Sequence, residues 1–291
     1  MNDHLVRILG NDGSLRAIAA ATSELTRAIC RRQGTDPTAS VALGRLVTGT
    51  ALMGALLKGD QHLALMIEGS GPLSRLHAET DAFGHLRGSV KNPLAGLPPK
   101  NDRFDVAGAI GRAGFLHVIK DLGLKEPYRG MVQLYTSEVA EDLAYYLTTS
   151  EQIPSTVGLG VNLDETFAVA TAGGFLVQAM PGGDETLIPL LEERLRQLPP
   201  TTRLLGEGKS PLQILEQLFA GIPFTVQMET ALEFRCNCSR SQVAAMLRGL
   251  GADEVRAMIE EDQGAKVTCE FCKQTYEFTA DDLAALPQLE N

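Results

Sequence analysis

Four of the chain's five cysteines fall in two close pairs: Cys236 and Cys238 in FRCNCSR, then Cys269 and Cys272 in CEFC, with thirty residues between the pairs. Zinc takes four thiolates tetrahedrally, and a C-x-x-C turn offers two sulfurs to one metal while a second, remote pair closes the site. No histidine lies close in sequence to either pair, so the spacing predicts an all-cysteine zinc site, one ion per chain. Metal-bound thiolates stay deprotonated and nucleophilic. Where partly exposed, they can be oxidised by peroxide or hypochlorous acid to sulfenic acid and then to a disulfide with a near neighbour. Each pair holds its own partner, so the motif reads either as an inert zinc knuckle or as a site built to be taken apart. Cys30, in ELTRAICRR, reads as an inert helix cysteine.

The elements that must hold these thiols are few. VTCEFCKQTYEF predicts a hairpin whose turn is the C-x-x-C, with Ser239 capping a helix SQVAAMLRGL and Asp253 capping another, EVRAMIEE. A module of about sixty residues finds only a few kcal/mol in its own core, whereas zinc binding to such peptides is worth roughly 10–16 kcal/mol at neutral pH. Losing the metal should unfold it.

Upstream, after GGDE, Leu187, Leu191, Leu195 and Leu198 recur at helical spacing until Pro199-Pro200. SPLQ announces a second short helix: Ser210 as N-cap, Pro211 at the first helical position, Gln213 completing a capping box. Leu212, Leu215, Leu218 and Phe219 line its apolar face, and Gly221 with Pro223 ends it. Helices this short are marginal alone, so they must lean on the body to stay folded. If the zinc module props them there, metal loss exposes Leu187, Leu191, Leu195, Leu215, Leu218 and Phe219, an apolar patch able to bind other apolar patches. The plain alternative is that these side chains are permanent core.

The first 181 residues read as an α+β body. Apolar runs flank Asn11-Asp12-Gly13, a turn suited to positive φ, and predict a β-hairpin. HLALMIEGSGP (62–72) and RGMVQLYT (129–136) read as strands, and Ser137 as the N-cap of a helix with Val139, Leu143, Tyr146 and Leu147 on one face. ASVALGRLVTGTALMGALL (39–57) approaches membrane-spanning length, but Arg45 and three glycines inside it favour a buried core helix. The N-terminus lacks the features of a secretory signal, so the expected location is the cytoplasm, where disulfides are not the default state of cysteine.

Composition narrows the function. The 291 residues carry a net charge of −10, and the segment from Ala231 onward holds six Lys/Arg against eleven Asp/Glu. A zinc ribbon that binds nucleic acid should be basic, and Tyr276 with Phe278 is a thin aromatic supply for stacking. A thiol-disulfide oxidoreductase using CEFC would lack its βαβ context and leave the other pair without a job. GEGKS (206–210) has the tail of a phosphate-binding loop, but Arg203 stands where its first glycine belongs and a Pro-Pro break stands where a strand is required. The five histidines show no ligand or triad spacing, no G-x-S-x-G elbow occurs, and no catalytic residue is assigned.

FRCNCSR and CEFCKQTYEF together resemble the zinc motif of the redox-regulated chaperones of the 33-kDa heat-shock protein family. IEGSGP, YRGMVQL, YYLTTSEQIPS and GGFLVQAMPG look like that family too, in the expected order, so the resemblance spans nearly the whole chain. One departure is Ser241, where an acidic residue is expected. The resemblance implies an N-terminal α/β domain (1–181), a metastable helical linker (182–231) and a zinc-binding redox-switch domain (232–291). It implies zinc on all four cysteines in the resting state. Oxidation would then join Cys236 to Cys238 and Cys269 to Cys272, the second pair more readily, release zinc and destabilise the linker. The active form implied is a dimer that holds unfolding client proteins without ATP, with no nucleic acid and no membrane as partner.

Overall fold

Strand β1 (His4–Gly10) turns through Asn11-Asp12-Gly13 into β2 (Leu15–Ala21), with Gly13 at φ 75° and Asp12 Oδ1 accepting the Ser14 N–H. The computed structural model describes residues 2–100, 103–182 and 186–286, so part of the GGDE stretch lies outside the described residues. The chain divides into two units, Met1–Arg235 and Cys236–Asn291.

In the first unit the hairpin is followed by α1 (Ser23–Gln33), α2 (Pro37–Gly54), β3 (His62–Gly69), β4 (Arg75–Asp81), β5 (His85–Val90) and α3 (Val106–Ile110). Then come β6 (Gly114–Asp121), β7 (Tyr128–Gln133), α4 (Ala140–Thr149), β8 (Ser155–Leu163) and β9 (Val169–Ala179). Three short helices follow, α5 (Leu187–Gln197), α6 (Thr201–Gly206) and α7 (Pro211–Leu218), and the unit ends with β10 (Phe224–Ala231) and β11 (Glu233–Phe234). A five-stranded antiparallel sheet runs β10-β1-β2-β9-β8, and a six-stranded sheet runs β11-β5-β4-β3-β6-β7.

Helix α2 packs on strands of both sheets, which is why its sequence is apolar all round rather than on one stripe. Arg45 is its exception, paired with Glu138. Its glycines are there for close approach: a Cβ at Gly49 would come within 2.4 Å of Leu143 Cδ1. No described helix is long and apolar enough to cross a membrane.

The five-stranded sheet divides its side chains between two cores by the two-residue strand period. Leu5, Ile18 and Leu176 join the cluster around α2, while Val6, Ile8, Ala17 and Phe175 join a second cluster on the opposite face, closed by α5 and α7. Capping chemistry sets where α7 starts. Ser210 Oγ accepts the Gln213 N–H and Gln213 Oε1 accepts the Ser210 N–H. GEGKS is the connection between α6 and α7, a helix-to-helix loop. The helix α6 and the strand β10, which pairs with β1, are further elements of the 182–231 segment that periodicity did not signal.

One start signal is corrected. Ser137 sits at φ 66° and its hydroxyl donates to the Gly111 carbonyl, so it does not cap α4. Asp142, buried in the first turn, does the organising, its carboxylate accepting N–H groups from Tyr135, Thr136, Ser137 and Val139. Val139, Leu143, Tyr146 and Leu147 are all buried as the helical face requires.

The second unit holds α8 (Arg240–Arg248), α9 (Ala252–Glu260), the hairpin β12 (Gly264–Thr268) and β13 (Thr275–Thr279), and α10 (Ala280–Ala284). Ser239 caps α8 as its sequence predicts, its hydroxyl accepting the Gln242 N–H. Helix α9 starts one residue before Asp253, with Gly251 as N-cap at φ 94°, and Asp253 lies in the first turn where its charge still favours the helix dipole. Val243, Leu247, Val255, Tyr276, Phe278 and Leu283 form its buried core.

Candidate metal centre

The C-x-x-C sits at the head of the β12–β13 hairpin, whose last ladder pair is Thr268 with Thr275. Cys269 N–H donates to the Gln274 carbonyl at 2.8 Å, Lys273 N–H returns to the Cys269 carbonyl at 3.0 Å, and Lys273 takes the left-handed conformation that closes the turn. Cys236 and Cys238 come from the extended segment just before Ser239, so the α8 cap fixes where that pair ends.

The two pairs meet. Cys236 Sγ lies 3.7 Å from Cys269 Sγ and Cys238 Sγ lies 3.3 Å from Cys272 Sγ, and all four sulfurs fall within 4.8 Å of one another. These are free thiols, far beyond the ~2.05 Å of a sulfur–sulfur bond. Four thiolates around zinc at ~2.3 Å stand about 3.8 Å apart at tetrahedral corners. The donor set therefore fits a tetrahedral metal ion in number, chemistry and spacing, and all four cysteines are half-buried rather than sealed.

Crowding splits the thiols electrostatically. For Cys269, burial pushes the thiol up, but hydrogen bonds from the Cys272 and Phe271 N–H groups and from the neighbouring thiols outweigh it and bring it down to about 7. Burial, with the adjacent sulfurs, raises Cys236 and pushes Cys272 up to about 12. In the metal-free form one thiolate is ready near neutral pH while protons hold others, the behaviour of a shared site rather than of four independent side chains.

Comparison with known proteins agrees with this geometry. A family model described as Hsp33 protein matches residues 3–279. The "33 kDa chaperonin" of Syntrophotalea carbinolica is 67% identical over 286 residues, covering 98% of this chain and 99% of its own. The chain belongs to the Hsp33 family. The "33 kDa chaperonin" of Geobacter sulfurreducens is 52% identical, with 98% and 95% covered. The crystal structure of the 33 kDa chaperonin (heat shock protein 33 homolog) of Thermotoga maritima superposes with a TM-score of 0.91 at 33% identity, 98% of each chain covered.

Other residues of this Hsp33 family member fall into place around the thiols. Ser241, where an acidic side chain is expected, has its hydroxyl 2.9 Å from that of Ser239 at the start of α8. Tyr276, read from the sequence only as an aromatic, donates its hydroxyl to Cys238 Sγ at 3.2 Å. Cys30 is buried within the first unit with its thiol pushed up to about 11 by burial, which suits an inert cysteine. Three of the histidines stand with strand carboxylates instead, His85 with Asp81, His77 with Glu79 and His117 with Glu68.

The six apolar residues singled out in the 187–219 segment share one cluster. Leu191, Leu215, Leu218 and Phe219 are buried, and Leu187 and Leu195 are partly so, against Val6, Ile8 and Phe175 of the sheet. Sequence reasoning missed Ile214, buried beside Leu215. Its signal was its place one residue before Leu215, which widens the apolar stripe of α7 without breaking its period.

Proposed function

We propose that this protein is a redox-regulated, ATP-independent holdase of the cytoplasm, a binding protein rather than an enzyme. Cys236, Cys238, Cys269 and Cys272 would hold one zinc ion in the reduced, resting state. Bound zinc would supply the folding free energy that the six-residue core of the second unit lacks. Oxidation to the disulfides Cys236–Cys238 and Cys269–Cys272 would remove the thiolate donors, so the ion leaves and the second unit unfolds.

The observation that carries this reading is the four-sulfur cluster itself, half-exposed and built from pairs that each contain their own disulfide partner. What the switch would control is the linker. Cys236 follows directly on β10 and β11, and residues 182–231 include helices that rest on the sheet through one apolar face. Once that segment loosens, Leu187, Leu191, Leu195, Leu215, Leu218 and Phe219 would be offered to unfolding clients, and the oxidised protein would act as a homodimer. The acidic net charge keeps such a sticky state soluble. A nucleic-acid ribbon has neither the basic charge nor the family to recommend it.

The test joins two measurements. Reduced protein should hold about one zinc per chain and leave a chemically unfolded client to aggregate. After peroxide at raised temperature the zinc should be gone and light scattering by the client suppressed without ATP. Equal activity in both states would end the switch, and a zinc-refolded preparation that binds no metal would end the metal site.

A further inference from the structure

Tyr276 and Phe278 point to the buried face of β13, and the Tyr276 hydroxyl reaches Cys238 Sγ at 3.2 Å. Both ends of that contact are fixed. Val267 pairs with Tyr276 across the hairpin, and the Tyr276 ring is buried in the core of the unit. Arg240, two residues beyond Cys238, lays its guanidinium 4.2 Å from the centre of the Phe278 ring, donates to the Glu277 carbonyl and pairs with Asp282 at 3.0 Å. Asp282 is itself held by the Thr279 cap. The segment carrying Cys238 is thus pinned to β13 at the sulfur and again two residues beyond it.

We propose that Tyr276 is a positioning residue of the switch: its hydroxyl holds Cys238 as a metal ligand and delays the oxidation of the Cys236–Cys238 pair. The inference rests on the function proposed above and names a regulator within it. A hydrogen bond to a thiolate draws charge from the sulfur, which stabilises the anion a metal needs and makes the same sulfur a poorer nucleophile. Both effects favour the resting state.

The chemistry shows where the hydroxyl acts. With a peroxide as oxidant, one thiolate attacks a peroxide oxygen; an S–O bond forms, the O–O bond breaks and hydroxide leaves. The neighbouring thiolate then attacks the sulfenic sulfur, closing the S–S bond and expelling a second hydroxide. Two electrons pass from the two sulfurs to the peroxide. In whichever step Cys238 attacks, the sulfur that attacks is the one whose charge the Tyr276 hydroxyl draws on.

The experiment compares the zinc-loaded full chain with its Tyr276→Phe variant. Zinc affinity is read by competition with a chromophoric chelator, and the order of disulfides by mass spectrometry of alkylated peptides after timed hydrogen peroxide exposure. Removing the hydroxyl should weaken zinc about tenfold, the lower end for loss of a partner that orients a metal ligand. It should speed closure of Cys236–Cys238 about threefold, with Cys269–Cys272 in the same molecule as the internal reference. If the phenylalanine variant does not fold, 3,5-difluorotyrosine at the same position keeps the ring and strengthens the donor, and it should shift both readouts the opposite way. Unchanged zinc affinity and unchanged order in Tyr276→Phe, or a difluorotyrosine chain that oxidises faster than the parent, overturns the role of Tyr276. A parent chain that binds no zinc instead overturns the switch as a whole.

Discussion

The two units use the same vocabulary of hairpins and capped helices but enclose very different amounts of apolar surface. The larger one buries Leu43, Leu46, Leu52, Leu63, Leu65 and Ile67 almost completely around a helix packed on strands of both its sheets, while the smaller gathers, among its described residues, six buried apolar side chains beside four sulfurs. Burial scales steeply with chain length, so the proposed metal should matter far more to the second unit than to the first. On the function proposed above, a metal site in so thin a module would be its keystone, and chemistry on the ligands would become chemistry on the fold.

The sharpest way to break this contrast is Cys272→Ser. It removes one thiolate from a site whose binding energy, roughly 10–16 kcal/mol in comparable zinc peptides, exceeds the few kcal/mol expected of so small a core. The expected result is loss of zinc and rapid proteolysis of the second unit and then of the 182–231 linker, with the body that precedes the linker remaining resistant. A second unit that stayed protease-resistant without metal would mean its core suffices alone.

A smaller effect separates the two cores of the first unit. Leu218 is fully buried under α7 and Leu43 is fully buried in α2. Truncation of either to alanine should cost about 2–5 kcal/mol. Leu43→Ala should lower the melting temperature of the whole body without new activity. Leu218→Ala should instead raise apolar dye binding and client capture in the reduced protein, with zinc content unchanged. If both variants behave alike, the cluster beneath α5 and α7 is ordinary core, and the linker is no gate.

What was legible in the sequence follows the range of the interactions involved. The four cysteines announced a metal site because zinc coordination demands particular donors at particular spacings, and Ser239 and Ser210 announced helix starts because a cap acts within three residues. Periodicity placed Leu191, Leu215 and Leu218 on buried faces but could not name Val6, Ile8 and Phe175 as the opposing wall, since that depends on which sheet face the helices meet. Ser137 misled because a buried aspartate five residues on, Asp142, outcompeted it for the same N–H groups. Strand β10 was missed because most of its side chains are exposed and its place is set by backbone pairing with β1, more than two hundred residues away. The hydroxyl of Tyr276 had no sequence signal at all: its reach to Cys238 exists only once the hairpin and the α8 cap have folded.

Acid should pull the two units apart by a gentler route than mutation. Metal binding requires thiolates, and Cys236 and Cys272 are raised in the metal-free form, so at neutral pH both protons must leave for the metal to bind. Lowering pH favours the protonated thiols, so apparent zinc affinity should fall about tenfold per displaced proton for each pH unit, and more steeply below about 7 as Cys269 also takes up a proton. The body responds later. Burial raises the Glu79 carboxyl, but His77 and Arg87 outweigh it and hold it below its ordinary 4.5. A depressed carboxylate contributes stability above its unfolded value and loses it only as pH falls through the lower folded one, so this contribution is intact until below 4.5. Between about pH 5 and 7, therefore, a chelator should strip zinc and open the second unit while the six-stranded sheet and the β1-β2-β9-β8 strands keep their circular dichroism signal. Coincident loss of zinc and sheet signal across that window would show one cooperative molecule in place of two.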